Sequence, residues 1–137
     1  MITTYFLNCI SEDIFKHQET STIPYDFYLA LSSTEPNIAG ENVTEPKSDT
    51  GYARVQIDNS NEVFNEKVDG DGNITNHKKL YFPESIKPWE NITHYAIFDE
   101  PIDGNLLMYG ALNETVNVPI KTILSIPIGE LKISASN

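Results

Sequence analysis

A change of hydrophobic period at Pro24 constrains this chain more than any other feature. Before it, residues 2–18 (ITTYFLNCISEDIFKHQ) place Ile2, Phe6, Ile10 and Ile14 four apart, flanked by Leu7, Cys9 and Phe15. At 3.6 residues per turn such a row marks one face of a helix. Thr3 or Thr4 supplies the oxygen that caps the first turn. Thr20 to Pro24 ends it, because a proline and the residue before it both resist helical backbone. After Pro24 the period becomes two. YDFYLALS alternates Tyr25, Phe27, Leu29 and Leu31 with Asp26, Tyr28, Ala30 and Ser32, the pattern of a half-buried strand. YARVQI sets Ala53, Val55 and Ile57 on one face. KLYFP, ITHYAIF, NLLMYGAL, TVNVP, TILSIPI and ELKISA follow, divided by Gly, Pro, Asn and Asp. This rhythm predicts an all-β chain, an antiparallel β-sandwich carrying an N-terminal amphipathic helix. The helix is expected within 1–20 and the sandwich over 21–137. At 137 residues the chain supports one core and not two, so 1–137 reads as a single domain.

Two stretches lack either period. Residues 33–51 (STEPNIAGENVTEPKSDTG) are polar and hold two Pro and two Gly. They read as a long exposed loop, mobile until a partner orders it. Residues 58–73 form a second excursion, with a short strand expected around Val63-Phe64.

Charge narrows the partners. Twenty Asp and Glu stand against nine Lys and Arg, a net charge of -11, which repels a phosphate backbone. Arg54 is the sole arginine, the residue type that makes most specific base contacts. No nucleic-acid partner is expected. Cys9 has no second cysteine to pair with. No apolar run reaches membrane-spanning length and no leader pattern precedes the helix, so a soluble product with no membrane partner is the expectation.

Catalytic and metal-binding patterns are absent or incomplete. DGDGN at 69–73 has calcium-loop spacing at Asp69, Asp71 and Asn73, but Ile74 stands where that loop requires Gly and Leu80 where it requires Glu. His17, His77 and His94 show no paired-ligand spacing. No Gly-x-Ser-x-Gly occurs, and Cys9 and His17 are eight residues apart. The reading is no cofactor, no metal and no catalytic residue. Trp89, with Tyr81, Phe82 and Tyr95 nearby, allows two interpretations: a sugar-stacking platform or an aromatic plug in the core.

Several segments together resemble a known family. FYLALSSTEPN, GENVTE and GYARVQI, then ITNHKKLYFPES with WENITHYAIFD, then GNLLMYGALNETVNV, are similar to small bacteriophage virion proteins described as tail fibre or minor structural proteins. The likeness runs from about residue 5 to 135. Its most specific parts are Gly51-Tyr52-Ala53-Arg54, the spacing of Trp89, His94 and Phe98-Asp99, and Gly104-Asn105-Leu106-Leu107. The chain departs from the pattern at 46–50, where PKSDT replaces a glycine-rich run.

The resemblance implies a non-enzymatic structural protein of the virion, assembled in the host cytoplasm. Its place would be tail-associated, in a fibre or baseplate, or a decoration on the capsid exterior. It would act in multiple copies or as a homo-oligomer, through contact with other phage virion proteins. A carbohydrate-binding module touching a host-surface glycan is the alternative. The motif residues expected to shape the fold are Tyr52, Arg54, Trp89, His94, Phe98, Asp99, Gly104, Asn105 and Gly110. Candidate contact residues are Tyr5, Phe6, Ile10 and Phe15 of the helix, with Asn37 and Glu41 of the polar loop. Arg54 is expected on the outer face or at the sheet rim, paired with Asp99.

Overall fold

Alternating apolar residues in four segments build the main sheet. The computed structural model describes residues 1–15, 26–57, 73–76 and 78–134. The strand expected at Val63-Phe64, most of DGDGN, His17 and His77 fall outside that range. The strands are β1 (Phe27–Ser32), β2 (Val55–Ile57), β3 (Asn73–Thr75), β4 (Leu80–Tyr81), β5 (Trp89–Phe98), β6 (Leu106–Val118), β7 (Ser125–Ile126) and β8 (Lys132–Ser134). Four of them form one antiparallel sheet in the order β2-β1-β5-β6, and β3-β8 and β4-β7 form two antiparallel ribbons. Among the described residues the protein is therefore mostly β, with one α-helix near its N-terminus.

β1 runs through the sheet interior, pairing Tyr28 to Ser32 with Phe98 to His94 on one side and Phe27 to Leu29 with Ile57 to Val55 on the other. NLLMYGAL and TVNVP, expected as two strands, are the single strand β6. The sequence looks divided because the pairing slips: His94 faces Ala111, yet Ile92 faces Val116. The surplus residues on β6 bulge from the ladder without ending the strand.

Both faces of this sheet are covered. On one, Leu29, Leu31, Tyr95 and Ile97 pack with Phe6 and Cys9 of the helix and with Leu80, Phe82, Ile126 and Leu131 from the ribbon side. On the other, Ala30, Ala96, Phe98, Leu106 and Tyr109 form a second cluster under Val43. β1 was expected to be half-buried, but Leu29, Ala30, Leu31 and Ser32 are all buried. The covering on the second face comes from residues 33–51.

That segment closes on itself. Ser32 Oγ accepts the amides of Thr34 at 3.2 Å and Thr44 at 3.0 Å. Asn37 Oδ1 accepts those of Ala39 and Glu41, both at 3.0 Å. Thr34 Oγ1 donates to the Asn42 carbonyl at 2.6 Å, and the Ser33 amide donates to the Thr44 carbonyl at 2.9 Å. Ordering a residue costs about 1 to 2 kcal/mol of backbone entropy. Here short polar side chains and the burial of Pro36 offset part of that cost within the domain. These points of attachment are internal to the domain, beside whatever a partner adds.

The helix α1 runs Thr4–Phe15, starting later than the expected span, of which 16–20 lie outside the described residues. Ile2 is not helical: it bridges antiparallel to Met108, with Thr3 N–H donating to the Leu107 carbonyl at 2.9 Å. Thr3 is the cap, its Oγ1 accepting the Phe6 amide at 3.3 Å while donating to the Leu106 carbonyl at 2.6 Å. Phe6 and Cys9 are buried and Ile10 partly so, but Ile14 is 55% and Phe15 75% exposed. A strict i+4 row drifts by about 40° per step, so its far end turns away from the sheet.

Candidate contact surface and its internal frame

The sole arginine ties three segments together. Arg54 Nε donates to Glu45 Oε1 at 2.9 Å and Nη2 to Oε2 at 2.8 Å, a two-pronged match of guanidinium to carboxylate. Nη1 donates to the Glu100 carbonyl at 2.8 Å and the Asp103 carbonyl at 2.7 Å. The guanidinium also lies 3.7 Å above the centre of the Phe98 ring. With its side chain 6% exposed, Arg54 belongs to the interior. Asp99, its expected partner, is engaged elsewhere. Its carboxylate accepts the Asn105 amide at 2.7 Å and Asn105 Nδ2 at 3.0 Å, closing the turn from within. Arg54 thus grips the turn through carbonyls while Glu45 takes its charge.

Tyr52, two residues earlier, donates its hydroxyl to the same Glu45 Oε1 at 2.6 Å and accepts the Leu31 amide at 3.1 Å. Burial, and then the Glu45 carboxylate, push its pKa far above the ordinary tyrosine value. Glu45 was not singled out in the sequence. The available signal was a carboxylate nine residues ahead of the only arginine.

Two glycines have geometric reasons. Gly104 has φ +76°, and a Cβ there would sit 2.6 Å from Asp99 Oδ1 and 2.7 Å from Glu100 Cβ. Gly110 faces Tyr95 across the ladder, and a Cβ would lie 2.6 Å from the Tyr95 hydroxyl oxygen. Burial raises the Tyr95 pKa to about 12.

Trp89 is 1% exposed and donates Nε1–H to the Thr50 carbonyl at 3.2 Å. Tyr52 meets it edge-on at 5.4 Å and Phe82 at 6.3 Å between ring centres. Phe82 and Tyr95 are buried too, which leaves only Tyr81 of the four aromatic residues facing solvent. The geometry is that of a plug, with no flat platform of exposed rings. His94 is half-buried on β5, with Nδ1 2.8 Å from Thr93 Oγ1. Among the described residues no three His, Cys, Asp or Glu come together as metal ligands, and no helix is long and apolar enough to cross a membrane.

The candidate contact residues divide. Tyr5 and Phe15 are exposed, at 42% and 75%. Phe6 is buried and Ile10 packs on the core, so both point inward. Asn37 uses its Oδ1 inside the loop, while Glu41 is exposed. Further aliphatic side chains reach solvent at Ile38, Ile86, Ile102, Ile120, Ile123 and Ile128. Sequence reading also passed over buried Asn76, whose Nδ2 donates to the Lys78 and Pro127 carbonyls and whose Oδ1 accepts the Leu131 amide. Its signal was its place in the ITNHKKLYFPES segment that carries the family resemblance. No buried side-chain nitrogen or oxygen among the described residues lacks a partner.

An internally satisfied β framework with isolated apolar contacts on its surface accords with a structural subunit, and the comparison of sequences supplies the class: a bacteriophage virion protein of the fibre type. The chain belongs to the family Gp80, Podophage GP4 fiber I protein gp80, whose profile matches residues 1–134. No curated protein matches the sequence.

Proposed function

We propose that residues 1–137 act as one non-enzymatic domain of a tail-associated fibre, present in several copies and held by protein–protein contact. The observation that carries this reading is the family match over residues 1–134. The surface supports it. Polar groups of the frame are spent on one another, while aliphatic and aromatic side chains at separated points remain open to a neighbour. Arg54, the only arginine, is enclosed, and the net charge of -11 leaves little attraction for nucleic acid. The two ribbons serve as the second layer of a sandwich over the four-stranded sheet. No cofactor or metal takes part.

Labelling purified particles with an antibody to this chain tests the proposal. Label at the tail in several copies is the expected result. Label spread over the head would replace the fibre role with capsid decoration. Its absence from purified particles would overturn the virion role itself.

A further inference from the structure

A groove beside the β6 bulge has a chemistry that none of the motif residues share. It encloses about 380 Å³, with Leu31, Leu112, Val116, Leu124, Ile126 and Leu131 contributing its apolar lining. Glu114 and Glu130 stand among the lining residues, which include no Lys, Arg or aromatic side chain. Asn113 Nδ2 reaches Glu130 Oε2 at 3.4 Å across it. One wall is the bulged stretch of β6 between Ala111 and Val116. The other belongs to the 124–131 segment, which buried Asn76 fixes through Pro127 and Leu131, with Gly129 N–H donating to the Asn76 carbonyl at 2.8 Å. Both walls are thus set before anything binds.

We propose that this groove receives an extended segment of another virion protein, bearing aliphatic side chains flanked by Lys or Arg. The proposal rests on the structural-subunit reading and adds the chemistry of the partner. Charge complementarity selects the occupant. Glu114 and Glu130 are both acidic, and a second copy of a chain with net charge -11 would approach against its own field. A glycan would find no aromatic face on which to stack. An extended backbone suits the place, because residues 112–115 of its β6 wall have no partner in the register with β5.

The test titrates full-length protein with acetyl-Lys-Ile-Lys-Leu-Lys-amide, and separately with the peptide in which Glu replaces each Lys, following backbone amides by NMR. The basic peptide is expected to shift amides at 112–116 and 124–131. Raising salt from about 0.02 to 0.3 M should weaken it several-fold. The exposed double variant Glu114→Lys with Glu130→Lys should bind the basic peptide about tenfold more weakly and gain affinity for the acidic one. Equal response to both peptides, or shifts confined to another surface, would overturn the proposal. Concentration-dependent shifts at the groove without peptide would assign it to self-association and overturn it as well. Incorporation into phage particles separates this idea from the fibre role. If wild-type and double variant enter particles equally, the groove proposal falls and the structural role stands. If neither enters, the structural role falls, and the peptide titration still decides what the groove binds.

Discussion

The polar segment 33–54 and the apolar helix 4–15 each depart in part from what their compositions foretell. The first is rich in Ser, Thr, Asn and Glu, yet it folds over the sheet, buries Pro36 and ends in the enclosed Glu45–Arg54 pair. The second has the strongest helical apolar row in the chain, yet it leaves Ile14 and Phe15 in solvent. Burial here follows satisfied hydrogen bonds as much as hydrophobicity. A polar residue can be enclosed when each donor and acceptor has a partner, whereas an apolar one stays outside when geometry turns it away.

The sharpest challenge to that contrast is Arg54→Ala. It leaves the partly buried Glu45 carboxylate without its cation and should lower unfolding free energy by about 3 to 5 kcal/mol in urea titrations. A loss no greater than that of a surface change would break the contrast. Next comes alkaline pH, which attacks the core that receives the helix, through Tyr95. Its folded pKa of about 12 lies above the ordinary 10, so the contribution of the neutral ring is fully present below pH 10 and is lost as pH rises through 12. The decline from this residue should reach about 2 to 3 kcal/mol, and Tyr95→Phe should remove that share while the decline due to Tyr52 remains. Gly104→Ala should cost about 1 to 2 kcal/mol, from positive φ and from contact with Asp99 together. Gly129→Ala shares a positive φ but has open space around it, and should cost less in the same denaturation assay. Asn37→Ala should cost about 1 kcal/mol and speed hydrogen exchange at Ala39 and Glu41. Unchanged exchange there would show that the loop does not depend on its Asn. Smallest of all, Phe15→Ala should stay within about 0.5 kcal/mol, since the ring is 75% exposed.

The change of period at Pro24 announced the helix and the β-rich remainder, because alternation and i+4 spacing are local consequences of backbone geometry. Gly104, Asn105 and Gly110 were legible as shape-setting residues for a related reason: turn residues and missing side chains leave marks in sequence. Three things were not. The partner of Arg54 depends on which strands meet, and β2 pairs with β1 across a long insertion that sequence spacing does not fix. The unity of β6 was hidden by Asn113-Glu114, which resemble a turn and form a bulge. The tethering of 33–51 arises from side chain–backbone bonds at Ser32, Thr34 and Asn37, residue types that mark loops without saying whether those loops are tied to the domain.

The joint between Thr3 and β6 also sets an order in time. Thr3 Oγ1 bonds to the carbonyl of Leu106, 103 residues later in the chain. During synthesis at about 5 to 20 residues per second, that partner emerges roughly 5 to 20 s after Thr3. Over that interval Phe6, Cys9 and Ile10 have no finished sheet to receive them. The first helix to be made is therefore among the last pieces to dock, and the nascent chain carries an uncovered apolar face until β6 arrives.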